Sequence, residues 1–353
     1  MVMRIDHWAT AAHSTRRGLT DRGCSSRGFL QSHFTALAAS VAIWLTPGAG
    51  AMPLTLPGYD VVTYQHPGAP ITGFRDINAA GDVVGYYQTD AADFNTARAL
   101  RIVGGVAETI DPPISTSDRR AFGNNDAGVV VGSFNATGQH GFVLGGAAYT
   151  QVDFPGTTQG TTIRGLNNLG DFVGEYDDAV GVQHGFLRRG TTFQSFDAPG
   201  AVSTTVRDIN DTGFFVGFYA DAGGAQHGYI AGAGGFATID HPDPTAVSTL
   251  VGGINNGGVV AGAWLAALGS PESQPARGFL HEPATGVFTP FDLVEATSTI
   301  PINLNDAGQV VGEAVLPDGT HVGFIATPIP EPTTAASIAS GVVLLVRREG
   351  RRR

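Results

Sequence analysis

The stretch Asp208-Ile209-Asn210-Asp211-Thr212-Gly213-Phe214-Phe215-Val216-Gly217 decides how this chain is read. An apolar run enters, Asn-x-x-Gly supplies turn geometry, and a run rich in Val and Phe leaves, which is the pattern of a β-hairpin. Asparagine followed by Gly three and seven residues later recurs from Asn78, Asn125, Asn167, Asn210, Asn255 and Asn305. The intervals of 47, 42, 43, 45 and 50 residues define an array of six copies, so the period has to be explained before any site.

Within the third and fourth copies four β-like segments recur. The first ends at the Asn (Thr162-Ile163-Arg164-Gly165-Leu166-Asn167; Val206-Arg207-Asp208-Ile209-Asn210) and the second leaves the turn (Phe172-Val173-Gly174-Glu175-Tyr176; Phe214-Phe215-Val216-Gly217-Phe218-Tyr219). His184-Gly185-Phe186-Leu187 and His227-Gly228-Tyr229-Ile230 form the third, and Phe193-Gln194-Ser195-Phe196-Asp197 and Phe236-Ala237-Thr238-Ile239-Asp240 the fourth, before a Pro-containing loop. Four strands in about 43 residues predict one blade of a β-propeller, whose sheet buries both faces only when neighbours pack on it. The ends predict how the ring closes. Tyr59 to Gly68 matches a fourth strand and its loop but precedes any first strand, and the sixth copy stops after its third strand, Val322-Gly323-Phe324-Ile325. The expected fold is therefore all-β: a six-bladed β-propeller of four-stranded blades, closed by an N-terminal strand. An open β-solenoid or a seven-bladed propeller is the alternative.

Composition agrees with an all-β domain: 353 residues hold 50 Gly and 20 Pro, and all 20 basic residues are Arg. Between residues 52 and 346 there are 10 Arg against 28 Asp and Glu, a net charge near −18 that should repel nucleic acid. The only cysteine, Cys24, lies in a basic leader, so the domain has no disulfide framework and no Cys metal site. Residues 1–51 read as a signal peptide, with arginines, an apolar stretch over 34–45 and Ala49-Gly50-Ala51 as the cleavage signature. Residues 52–327 then form the repeat domain, expected to be monomeric. In 328–353, Pro330-Glu331-Pro332 precedes an apolar segment over 335–346 and a terminal arginine cluster. That segment of about 12 residues is short of the roughly 20 that span a bilayer.

The order Pro-Glu-Pro, apolar segment, arginine cluster resembles the PEP-CTERM sorting tail of Gram-negative bacteria, and the short apolar segment is where it departs from that pattern. The resemblance implies export, transient inner-membrane association through the tail, and recognition of Pro330, Glu331 and Pro332 by an exosortase-type sorting enzyme. The Ile-Asn-x-x-Gly-x-Val-Val-Gly, His-Gly-Phe and Ile-Asp-x-Pro-Gly phrases across about 58–327 are similar to HAF-type extracellular repeats. That family brings no activity to any residue here. Together the resemblances imply a cell-surface or extracellular module linked to exopolysaccharide or biofilm.

Three columns of the repeat could carry chemistry. The position before Gly in the third strand reads Arg98, His140, His184, His227, Arg277 and Val322, and the position closing the fourth strand reads Asp111, Asp153, Asp197, Asp240 and Asp292. Histidines suggest a metal site, but arginine at the same position donates hydrogen bonds and does not ligate, so a structural polar clamp between the columns is expected. A carboxylate ring for Ca²⁺ or for glycoside hydrolysis is the functional alternative, and five equivalent carboxylates single out no pair. Two residues before each Asn stand Asp76, Gly123, Gly165, Asp208, Gly253 and Asn303, small or polar throughout. Asp76, Asp208 and Asn303 are candidate channel-lining residues, with Arg75, Arg164 and Arg207 beside them as anion contacts. The favoured plainer reading is that glycine permits tight packing and the arginines are solvated. No Gly-x-Ser-x-Gly elbow, His-Glu-x-x-His or phosphate-binding loop occurs. The expected function is a non-catalytic structural or binding module needing no cofactor, and the alternative is a glycan-active hydrolase or lyase with its site at the channel mouth.

Overall fold

The computed structural model describes residues 53–157, 159–269 and 274–330; the leader and Glu331 and Pro332 of the tail motif lie outside them. The described residues are all-β, with 24 strands and one short 3₁₀ turn. Each copy of the repeat is a four-stranded antiparallel meander whose strands follow one another in space as in sequence. The fourth copy shows the plan with Ser203–Ile209, Phe215–Ala220, Gln226–Gly232 and Gly235–Ile239. In the sixth copy the fourth place is taken by the N-terminal strand, Tyr59–Tyr64, which pairs antiparallel with His321–Pro328 from Tyr59 opposite Pro328 to Tyr64 opposite Gly323.

The turn phrase folds as its chemistry requires. Asn210 Oδ1 accepts from the Phe214 N–H at 3.0 Å and the Thr212 hydroxyl at 2.7 Å, and Gly213 takes a φ of +83° that a side chain would resist. The asparagine also works between copies. Its Nδ2 donates to the backbone carbonyl of the next asparagine, from Asn78 to Asn125, Asn167, Asn210, Asn255 and Asn305, and Asn305 Nδ2 donates back to Asn78 O at 3.0 Å.

Apolar packing follows the same circuit. First and second strands carry most of the burial, Val83–Gln88 being buried throughout, whereas the fourth strand Val106–Thr109 is exposed at every residue. Each neighbouring pair of copies shares a cluster: Val84 with Ala121 and Phe134, Val131 with Ile163, Val173 with Val206, Val216 with Val251, and Ala261 with Leu304. Val311 of the last copy packs with Phe74 of the first. Each fully buried side chain of this size contributes about 1.5–3 kcal/mol, so the seams between sheets carry much of the hydrophobic stabilisation.

Candidate functional site

The second glycine of the phrase creates the site. Pairing of first and second strands slips by one residue in every copy, between Phe74 and Asp76, Ala121 and Gly123, Ile163 and Gly165, Val206 and Asp208, Val251 and Gly253, and Pro301 and Asn303. Opposite each bulge sits the glycine seven residues after Asn; a Cβ on Gly85, Gly174 or Gly217 would overlap the carbonyl of Gly73, Thr162 or Thr205. A bulge re-aims the extra residue. Here the extra residues are Arg75, Phe122, Arg164, Arg207, Gly252 and Ile302, and all six line one pocket.

That pocket encloses about 260 Å³ and has two unlike walls. Copies one to four supply Arg75, Arg120, Arg164 and Arg207 with the rings of Phe122 and Phe218. Arg164 lies 4.2 Å over the Phe122 ring and is paired with Glu175; Arg207 lies 4.9 Å over Phe218. Arg75 bridges Tyr86 Oη at 3.0 Å and Glu313 Oε2 at 3.1 Å, and Arg120 reaches Asp118 Oδ1 at 2.7 Å. Burial works against ionisation of Glu313, but His321 and Arg75 hold its carboxyl below the usual range. Copies five and six supply the other wall with Leu250, Ala263, Ile300 and Pro301. The arginines expected to be solvated are instead largely enclosed: side-chain exposure is 13% for Arg75 and 19% for Arg164, because the bulge turns them inward.

One seam is incomplete at this pocket. Gln139 Nε2 donates to Thr162 Oγ1 at 2.9 Å across one seam, and Thr205 Oγ1 donates to Gln183 Oε1 at 2.9 Å across the next. At the following seam Leu250 replaces the threonine, and the buried Oε1 of Gln226, which lines the pocket, has no hydrogen-bond partner.

Beneath the bulge residues lies a buried polar layer of Asp76, Asp208 and Asn303. Asp76 Oδ1 accepts from Ile77 N at 2.8 Å and Asn303 Nδ2 at 2.7 Å, its Oδ2 accepts from Asn124 N at 2.7 Å, and Asp208 Oδ2 accepts from Ile254 N at 3.0 Å. Glycine alternates with these side chains because space demands it; a Cβ on Gly165 would stand 2.6 Å from Asp208 Oδ1. Burial raises Asp208 to about 7, and burial together with the Asp208 charge raises Asp76 well above the ordinary range. The three candidate channel residues thus meet at one level, and they also line a cavity of about 80 Å³ at the opposite mouth. Its rim is formed by Ala79, Asp126, Asn168, Asp211, Asn256 and Asp306, in which the first five backbone N–H groups each donate to the next side-chain oxygen, as Asn168 N does to Asp211 Oδ1 at 2.8 Å, while Ala79 offers no oxygen to Asp306 N.

The two outer columns meet within single copies, away from both cavities. His140 Nδ1 lies 3.0 Å from Asp153 Oδ2, His184 Nδ1 2.8 Å from Asp197 Oδ1, His227 Nδ1 2.9 Å from Asp240 Oδ1, and Arg98 2.6 Å from Asp111 Oδ2. Arg277 is looser, at 4.0 Å from Asp292, which accepts from Gly278 N at 2.9 Å. Among the described residues no group of three or more His, Cys, Asp or Glu side chains is placed to hold a metal ion. Pro330, the tail residue inside the described range, is exposed.

Sequence reasoning missed Arg120, Phe218, Gln226, Glu313 and the rim ring. The signal for the rim was present as an Asp–Asn alternation one residue after five of the six turn asparagines, broken at Ala79.

No protein family and no curated protein matches the chain. Solved structures resemble it weakly. The putative TolB from Agrobacterium tumefaciens has a TM-score of 0.48 at 12% identity, covering 74% of this chain and 92% of that one. TolB from Acinetobacter baumannii has 0.46 at 12% identity, covering 70% of this chain, which spans only 64% of that protein. The Aleuria aurantia lectin, described as a six-bladed β-propeller with a novel fucose recognition mode, has 0.43 at 9% identity, covering 79% and 98%.

Proposed function

We propose that this chain is an exported, non-catalytic binding module, a six-bladed β-propeller closed by its N-terminal strand, with its ligand site in the arginine-lined pocket. The observation that carries the reading is where the repeat departs from itself. Turn asparagines and the outer His/Arg and Asp pairs recur around the array, whereas the inward bulge residues are three Arg, a Phe, a Gly and an Ile converging on one pocket. Conformity serves folding; departure at a shared cavity serves recognition. Closure of the ring is supported by the asparagine ladder and the Val311–Phe74 seam, both joining the last copy to the first.

The signals at both ends support export, retention through the PEP-CTERM-like tail, and processing by an exosortase-type enzyme at Pro330, Glu331 and Pro332. An extracellular polysaccharide of a biofilm matrix is the partner proposed, engaged by a monomeric domain. A glycan-active enzyme would need an acid/base pair within reach of a sugar. Asp76 and Asp208 break the repeat, but they face about 80 Å³, room for two or three waters at ~30 Å³ each. The full-length chain, incubated with the native matrix polysaccharide, should bind saturably without shortening it, and Arg207→Gln should weaken binding at least tenfold. Steady release of shorter sugars would overturn the non-catalytic reading.

A further inference from the structure

We infer, resting on the reading of this pocket as the ligand site, that the ligand is a hydroxylated carboxylate the size of one sugar ring: a uronic acid residue. Charged side chains lining the pocket are four arginines and Glu313, so four of the ten arginines in a strongly acidic repeat domain converge here. Enclosed guanidinium groups favour an anion with a planar pair of oxygens. Glu313 and Glu175 stand close behind and oppose a dianion, which selects a monoanionic carboxylate over a phosphate.

Two further features ask for more than a bare anion. Gln226 Oε1, buried and without a partner because Leu250 stands where its neighbours have threonine, requires a hydroxyl or amine donor from outside the protein. Facing the arginines, Leu250, Ala263, Ile300 and Pro301 offer an apolar surface suited to the C–H face of a sugar ring. About 260 Å³ is the volume of roughly nine waters at ~30 Å³ each, the scale of one sugar ring and not of a longer chain. The carboxylate sits against Arg164 and Arg207, the ring against Ile300 and Pro301, and one ring hydroxyl donates to Gln226.

Calorimetric titration of the full-length chain tests this with glucuronate, galacturonate, glucose, galactose, glucose 6-phosphate and acetate, and with oligomers bearing a uronate end. Uronates should bind at least tenfold tighter than the neutral sugars, the phosphate or acetate. Oligomers binding one per chain end would identify the terminal residue as the source, and free uronate binding more tightly would identify the monosaccharide. Gln226→Leu, which removes the amide whose buried Oε1 has no protein partner, should weaken uronate at least fivefold; it also serves where Arg207→Gln fails to fold. Neutral sugars or phosphate binding as tightly as uronates, with sensitivity to Arg207→Gln retained, would overturn the carboxylate assignment and leave the site standing. Polysaccharide binding indifferent to both substitutions in folded protein would overturn the site, and this inference with it.

Discussion

Asp208→Asn should stabilise the protein at neutral pH and do nothing at pH 4. Asp208 is enclosed beneath the bulge residues, where burial raises its carboxyl from an ordinary 3.8 to about 7. The folded state therefore keeps a proton that the unfolded chain releases near pH 4. Stability linked to this group is fully present below pH 3.8 and is lost as pH rises through about 7. About three pH units at ~1.4 kcal/mol each amount to roughly 4 kcal/mol lost by pH 8. Asparagine has the shape of the protonated acid and retains an oxygen for the Ile254 N–H, now 3.0 Å from Asp208 Oδ2. Urea unfolding of wild type and variant at pH 4.0, 5.5, 7.0 and 8.5 reads the difference, in which the titrations of other groups largely cancel. The variant's advantage should grow steadily from near zero toward a few kcal/mol. A flat difference, or a variant weaker than wild type at pH 8.5, would refute the reasoning.

Ala79→Asn should complete the rim ring, since Asn168 and Asn256 each sit between two aspartates as residue 79 does between Asp306 and Asp126; a gain of about 0.5–1.5 kcal/mol in urea melts is expected, and no gain would show that Asp306 N is already satisfied by water. His184→Ala should cost about 0.5–1.5 kcal/mol at pH 5.5 and less at pH 8.5, because the Asp197 and Asp178 carboxylates outweigh burial and raise the imidazole, so the stability it adds is lost as pH rises through that raised value. His184→Arg should cost less, as Arg98 already makes the same contact to Asp111; equal losses in both variants, with a wild type whose melting falls on adding EDTA, would indicate a metal instead. Deleting residues 52–68 should lower the melting temperature sharply, because it removes the partner of His321–Pro328 and the Tyr59 ring set edge-on to Phe291 at 5.2 Å, a loss on the order of 5 kcal/mol; an unchanged melting temperature would show that this strand is dispensable.

How much of this could be read from the sequence depended on range. Hairpins were legible because Asn210 and Gly213 satisfy a local need: an oxygen for nearby N–H groups and a positive φ. The pairing of His184 with Asp197 was legible because His184 lies on one strand of the meander and Asp197 directly follows the next. Contacts between copies were not, since Asn210 and Asn255 are 45 residues apart and nothing local requires them to touch. Nor was the inward turn of the arginines. Strict alternation along Val206-Arg207-Asp208 would send Arg207 and Asp208 to opposite faces of the sheet, whereas the bulge inserts Arg207 as an unpaired residue. The clue was Gly217, whose role becomes plain only when its strand lies against Thr205.

The same range argument explains why one repeat can be both scaffold and site. Side chains at the turn, and most of those in the outer columns, are held by partners in their own or the next copy, so changing one breaks a bond that the repeat uses for folding. Bulge residues are released from the ladder and meet in one pocket, beside the corresponding residues of other copies. Unit five illustrates the consequence: Gly252, Ala263 and Leu250 stand where unit four has Arg207, Phe218 and Thr205. Backbone pairing is the same in both units, yet the wall changes from cationic and aromatic to apolar. Substitution at these positions alters the pocket without disturbing strand register, because the bulge is set by backbone and by the glycine opposite it. Specificity in such an array can therefore vary at the inward residues while the turn asparagines and the facing glycines keep the fold.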